Sequence, residues 1–115
     1  MDVNYEELRE SLTASKGLRT VAMGILRDIE GAGRLGIQVR EAISRSLESH
    51  GMGHFPGELP SSQHDQVRLY LVGSPIADVV KAVLSPTPKG DEALRSIGDA
   101  GAQEQLRQIR EIVGG

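Results

Sequence analysis

The chain contains no cysteine and no tryptophan, and its aromatic side chains are few. Without cysteine, disulfides, thiolate metal sites and thiol nucleophiles are excluded, and a secreted, oxidising location is disfavoured. The aromatic residues are Tyr5, Phe55 and Tyr70. The core must therefore be built from aliphatic side chains, which suits helices that pack through apolar stripes.

Long hydrophobic runs are also lacking. Val79 and Val80 are flanked by Asp78 and Lys81, far short of the roughly 20 apolar residues that a membrane span needs. The chain starts with Met-Asp-Val-Asn, which lacks the basic region of a secretory signal peptide. We therefore expect a cytoplasmic protein with no membrane partner.

The size and charge of the chain limit its organisation. A chain of 115 residues is typical of one domain, so we expect a single domain over 1–115, with a sub-boundary at 85–90 before two C-terminal helices. Thirteen basic and sixteen acidic residues give a formal net charge of −3. This balance argues against general affinity for nucleic acid and leaves open a local basic face.

Apolar residues at helical spacing and capping residues predict most of the secondary structure. Residues 31–36 are rich in glycine, which destabilises a helix, so they should form a turn. Gly51 should end the helix that follows that turn. Ser74-Pro75 and Thr87-Pro88 are typical of a cap followed by the first residue of a helix. The helices are expected over 3–12, 18–30, 37–50, 75–84, 88–97 and, capped by Asp99, in the last residues.

One strand signal interrupts the helical pattern. Residues 67–72 alternate bulky apolar side chains around Arg68 and Tyr70, which favours a strand. A strand needs a partner, and 52–59 is the nearest candidate. The sequence therefore predicts a mainly α fold with a minor β-hairpin.

The sequence contains no motif for catalysis or cofactor binding with the secondary structure that such a motif needs around it. Gly31-x-Gly33-x-x-Gly36 matches the dinucleotide fingerprint, but it follows a helical stripe instead of a buried strand, so we interpret it as a turn between helices. His50 and His54 are four residues apart, but Gly51 and Gly53 interrupt any helix between them, so they are not expected to bind a metal from one helix face. We interpret His50 as a helix C-terminal residue and His54 as a residue that holds its loop by a hydrogen bond. We expect no enzyme activity, no metal and no cofactor.

The layout from 18 to 72 resembles winged helix-turn-helix domains: two helices, a glycine turn between them, and an extended hairpin. The resemblance implies a DNA-binding regulator in which the helix after the turn enters the major groove and the hairpin contacts phosphates. A homodimer with these helices about 34 Å apart would match successive major grooves of double-stranded DNA. The residues that would contact DNA are Arg34, Gln38, Ser44, Arg45, His54 and Arg68.

A protein-interaction module is the alternative. Residues 31–72 carry four arginines against four carboxylates, whereas a DNA-binding surface usually has a positive excess. The loop after Gly51 concentrates the only Phe with several prolines, and it either covers the core or forms a recognition surface. The last helix has a narrow apolar stripe that could pair with a partner helix. The contact residues of this alternative are Phe55, Leu59, Leu106 and Ile109.

Overall fold

The computed structural model describes residues 4–97 and 102–113. These residues form six helices and three strands. In chain order they are α1 (Tyr5–Ala14), β1 (Leu18–Ala22), α2 (Met23–Glu30), α3 (Ile37–Ser49), β2 (Met52–Phe55), β3 (Gln66–Leu71), α4 (Pro75–Leu84), α5 (Pro88–Ile97) and α6 (Ala102–Ile112). The expectation of a mainly helical chain with a small β component is confirmed, but the β component is a three-stranded sheet instead of the predicted hairpin.

The chain divides into two compact units, Met1–Ala77 and Asp78–Gly115. The first unit holds α1 to α3 and all three strands, and the division falls inside α4, ahead of the 85–90 segment. Helices α4 and α5 start at the Ser-Pro and Thr-Pro pairs as predicted, and the Thr87 hydroxyl accepts from the Gly90 N–H at 2.9 Å. The predicted cap Asp99 lies outside the described residues.

The sheet has three antiparallel strands in the order β1-β3-β2. The predicted pairing of β3 with the segment after Gly51 is confirmed, since Met52 lies opposite Leu71 and Phe55 opposite Arg68. Along β3, the buried Val67 and Leu69 alternate with exposed or half-buried neighbours, so one face of the sheet packs into the core and the other faces outward.

The predicted helix over 18–30 is wrong in its first part. Residues 18–22 form β1, in which Val21 pairs with Val67, and only Met23–Glu30 is helical. Val21 and Leu26 are both buried, but the chain changes from strand to helix between them. The first helix, predicted over 3–12, continues through Ala14.

The core of the first unit lies between α1, α2, α3 and the inner face of the sheet. Its aliphatic character agrees with the scarcity of aromatics. The buried residues of this cluster are Leu8, Leu12, Val21, Met23, Leu26, Leu35, Ile43, Leu47, Met52, Leu59, Val67 and Leu69.

The turn between α2 and α3 forms where the glycines predict it. Gly31 ends α2 with φ 76°, a left-handed conformation that glycine adopts without a steric penalty. The Ala32 N–H then donates to the Arg27 carbonyl at 3.1 Å and closes the helix end. Gly51, with φ 75°, turns the chain from α3 into β2. Within 4–97 and 102–113, no helix combines the length and apolar character needed to cross a bilayer.

Candidate functional site

The loop that joins β2 to β3, residues 56–65, is attached to α3. The Arg40 guanidinium donates from Nε to the Leu35 carbonyl at 3.1 Å and from Nη1 to the Leu59 carbonyl at 3.0 Å. The Leu59 side chain is only 4% exposed and belongs to the core. One arginine and one buried leucine therefore hold the middle of this loop against α3.

The far end of the same loop is attached to the start of α2. The first helical N–H groups have no partner within a helix, and Ala22 supplies no side-chain cap. Instead, the Met23 N–H donates to the Asp65 carbonyl at 2.8 Å, and the Gly24 N–H donates to the Gln63 carbonyl at 3.0 Å. A Cβ at Gly24 would lie 3.2 Å from that carbonyl oxygen, so glycine permits this close approach.

His54 links β2, α3 and the beginning of the loop. Its Nδ1 lies 2.8 Å from the Pro56 carbonyl oxygen, and its Nε2 is hydrogen-bonded to the Ser44 hydroxyl. A carbonyl only accepts, so Nδ1 carries the proton and, in the neutral ring, Nε2 accepts from Ser44. The prediction that His54 holds its loop by a hydrogen bond is confirmed. His50 lies at the end of α3, also as predicted.

Between α3 and this loop lies a depression of about 310 Å³, which we call the α3 groove. Ile37, at the first turn of α3, is 68% exposed at its edge. Ile37 and Glu41 are four residues apart and therefore neighbours on one helix face. The lining residues are Ile37, Arg40, Glu41, Ser44, Gly57, Glu58 and Leu59.

The charged side chains of the groove differ in the hydrogen bonds and ion pairs that they form. Glu41 and Glu58 are exposed, and neither has an ion-pair partner among the described residues. Arg40, in contrast, donates hydrogen bonds from two of its nitrogens to backbone carbonyls. An approaching ligand therefore finds free acceptors on two carboxylates, beside a guanidinium that has two of its five N–H donors in use.

A polar cluster behind α3 fixes the helix relative to α1 and α2. The Tyr5 hydroxyl donates to Glu30 Oε1 at 2.8 Å, and the Ser46 hydroxyl donates to the same oxygen at 3.2 Å. The Tyr5 ring stacks on His50 with centroids 5.3 Å apart. Burial, the hydrogen bond to Glu30 and the charge of Glu30 raise the pKa of Tyr5, because all three favour the neutral phenol.

The residues predicted to contact DNA do not form one surface. Arg34, Gln38 and Arg45 are exposed on or beside α3. Ser44 is half-buried and bonded to His54. Arg68 alternates with the buried residues of β3 and thus lies on the outer face of the sheet, opposite to the side that carries α3.

The residues predicted to contact a protein partner are also dispersed. Phe55 is exposed and lies opposite Arg68, on the outer face of the sheet. Leu59 is part of the core, and only 4% of its surface is exposed, where it lines the α3 groove. Ile109 is exposed on α6, in the second unit. The side chain of Leu106 lies outside the described residues.

Of the residues that line the groove, sequence reasoning named Ser44 and Leu59 and missed the others. Ile37 lies outside the apolar stripe formed by Val39, Ile43 and Leu47. An apolar residue outside such a stripe is expected to be exposed, so the sequence did contain a signal for Ile37. No sequence signal placed Glu58 beside α3, because the loop conformation that brings it there depends on the Arg40 hydrogen bonds.

Among residues 4–97 and 102–113, no group of three or more His, Asp or Glu side chains could hold a metal ion. Comparison of the chain with protein-family models, with curated proteins and with solved structures found no match.

Proposed function

We propose that the first unit is a winged-helix-like recognition module that binds another protein through the α3 groove. The layout supports the resemblance: α2 and α3 flank a glycine turn, and an antiparallel hairpin follows them. The observation that carries the proposal is a groove whose loop wall is held in place and whose edge exposes Ile37. A preformed depression with an exposed aliphatic side chain lowers the ordering cost of binding a partner.

The attachment of the loop favours a protein partner over duplex DNA. A wing that contacts phosphates must extend from the domain, but this loop is attached to α2 through Met23 and Gly24 and to α3 through Arg40. The chain also has no lysine or arginine between Arg45 and Arg68. The loop therefore offers no permanent cation for phosphate neutralisation.

The charges on α3 favour the same conclusion. Arg40 is half-buried and donates to backbone carbonyls, whereas Arg34 and Arg45 are exposed cations. Glu41 and Glu48 lie on the same helix and are exposed. Carboxylates at this face would be repelled by the phosphate backbone.

Peptide selection tests the protein-binding proposal. The full chain is immobilised and used to select binders from a displayed library of random peptides, and affinities are then measured for Ile37→Ser and Ile25→Ser. Ile25 is a matched control, because it is 44% exposed and lines a different depression with Glu7 and Arg19. We expect selected peptides to lose at least about tenfold in affinity on Ile37→Ser, equivalent to about 1.4 kcal/mol, and to be unaffected by Ile25→Ser.

Duplex DNA is the second candidate, favoured by the exposure of Gln38 and Arg45 two turns apart on α3. Its test is a titration of the chain with labelled random-sequence and genomic duplexes at low salt. DNA binding predicts association below about 100 μM that weakens steeply as salt rises. Such binding, lost on Arg45→Gln, would replace the protein-binding proposal, as would selected peptides that are insensitive to Ile37→Ser.

A further inference from the structure

Resting on the proposed protein-binding function, we infer that the α3 groove recognises an arginine side chain of the partner. In this arrangement the aliphatic stem of the arginine packs on Ile37 while its guanidinium donates to the carboxylates of Glu41 and Glu58. Both carboxylates line the groove with Ile37.

The free hydrogen-bonding capacity of the groove determines the charge of the ligand. Each carboxylate only accepts hydrogen bonds when ionised, and neither has an ion-pair partner among the described residues. The cation among the lining residues, Arg40, keeps its charge but uses two of its five N–H donors on the Leu35 and Leu59 carbonyls, so the two carboxylates outnumber it in the groove. A donor with positive charge therefore complements the groove, and an acidic or neutral acceptor does not.

The shape of the groove determines the rest of the ligand. At about 310 Å³, it lies at the small end of ligand pockets, whose volumes are roughly 300–1,000 Å³. It therefore accepts one or two side chains instead of a whole helix. Ile37 and Glu41 are neighbours on one helix face, so a long side chain that lies along α3 meets an aliphatic surface and then a carboxylate. Arginine combines an apolar stem with a planar set of donors that matches carboxylates.

The net charge of the chain agrees with this inference. The formal charge is −3 and the isoelectric point about 5.6, so the field of the whole protein attracts a basic segment. Because Glu41 and Glu58 are exposed, this attraction should weaken as salt screens the charges.

The test uses the ¹⁵N-labelled full chain and two blocked tripeptides, acetyl-Gly-Arg-Gly-amide and its citrulline counterpart. Citrulline has nearly the shape of arginine but no charge. We expect the arginine peptide to shift the amide signals of Ile37, Glu41 and Glu58, with an apparent affinity about fivefold higher than that of the citrulline peptide, as suits two exposed charge contacts.

Substitutions then separate charge recognition from general binding. In the double variant Glu41→Gln with Glu58→Gln, the two peptides should bind equally. Glu48→Gln is the matched control, since Glu48 is an exposed carboxylate of α3 that does not line the groove, and it should keep the fivefold preference. Thermal unfolding of each variant verifies that the fold is retained.

Several outcomes would overturn the inference. It fails if the arginine peptide causes no shift at the groove up to about 10 mM, beyond the weakest specific affinities of interest, if both peptides bind the wild type equally, or if the double variant keeps the preference. Selected peptides that need Ile37 but contain no arginine would overturn this inference alone. Selected peptides that ignore Ile37 would overturn the proposed function first.

Discussion

The two units of the chain use the same kind of sequence pattern with different results. In the first unit, amphipathic helices and one face of a sheet enclose twelve buried apolar side chains. In the second unit, the part of α4 that follows Ala77, α5 and the described part of α6 show no fully buried side chain among the residues whose burial the structure describes. An apolar stripe thus predicts a helix in both units, but it predicts a core only where other elements cover it.

Leu47→Ala should have the largest effect on stability, because Leu47 is fully buried in α3. We expect a loss of about 2–5 kcal/mol in the free energy of unfolding, from the lost apolar burial and the cavity left behind. Urea unfolding followed by circular dichroism measures it. A loss below about 1 kcal/mol would mean that the core of the first unit is not packed as described, and the contrast between the units would disappear.

Arg40→Gln should have an intermediate effect and should act on the loop. The substitution removes two charge-assisted hydrogen bonds to carbonyls. Each such bond contributes about 1.5–3 kcal/mol at most. Because Arg40 is only half-buried, we expect the free energy of unfolding to fall by an amount near the lower end of that range. Amide hydrogen exchange in 57–62 should become faster. Arg45→Gln is the control, an exposed arginine of the same helix, and equal effects of both variants would show that Arg40 does not hold the loop.

Tyr5→Phe should cost about 1 kcal/mol near neutral pH, because it removes the hydrogen bond to Glu30. The pKa of Tyr5 is raised in the folded chain, so its contribution is complete below the unfolded value of about 10 and is lost as pH rises above it towards the folded value.

Unfolding of wild type and Tyr5→Phe between pH 7 and about pH 12 measures this difference. The wild type should lose stability above pH 10 more steeply than the variant, while Tyr70 and the lysines remain common to both. Parallel pH profiles would contradict a role for the phenol in joining α1 to α2 and α3.

The smallest effects are expected in the second unit. Val83→Ala and Ile109→Ala alter exposed side chains, so each should change the free energy of unfolding by less than about 0.5 kcal/mol. A loss above about 1 kcal/mol from either variant, measured by the same urea unfolding, would show that these side chains are covered in solution and would remove the contrast between the two units.

Local signals in the sequence predicted those parts of the fold that depend on neighbouring residues. The glycine turn before α3, the helix from Ile37 and the Ser-Pro and Thr-Pro starts each depend on a few adjacent side chains. Strand β1 was missed because Val21 and Ala22 fit both a helical and an extended pattern. The choice was made by pairing with β3, whose residues lie far along the chain, and local propensity does not contain that information.

The candidate site shows the same division. That His54 would hold its loop was predicted from the sequence and is confirmed; that α3 and the segment after Gly51 carry recognition stays a prediction. The sequence did not predict that Leu59 would enter the core, that Arg40 would donate to the loop, or that Arg68 would lie on the other face of the sheet. These placements depend on side chains and carbonyls from separate elements.

By itself, the sequence determined an aliphatic core without disulfides, the positions of most helices, and the lack of lysine and arginine between Arg45 and Arg68, because composition, capping and charge are properties of short segments. Only the tertiary structure decided that residues 18–22 form a strand. It also decided that the loop packs beside α3, so that Ile37, Glu41 and Glu58 line one groove. The physical reason is that backbone hydrogen bonds at the start of α2 and along β1 must find partners, and in this fold those partners lie in β3 and the loop before it.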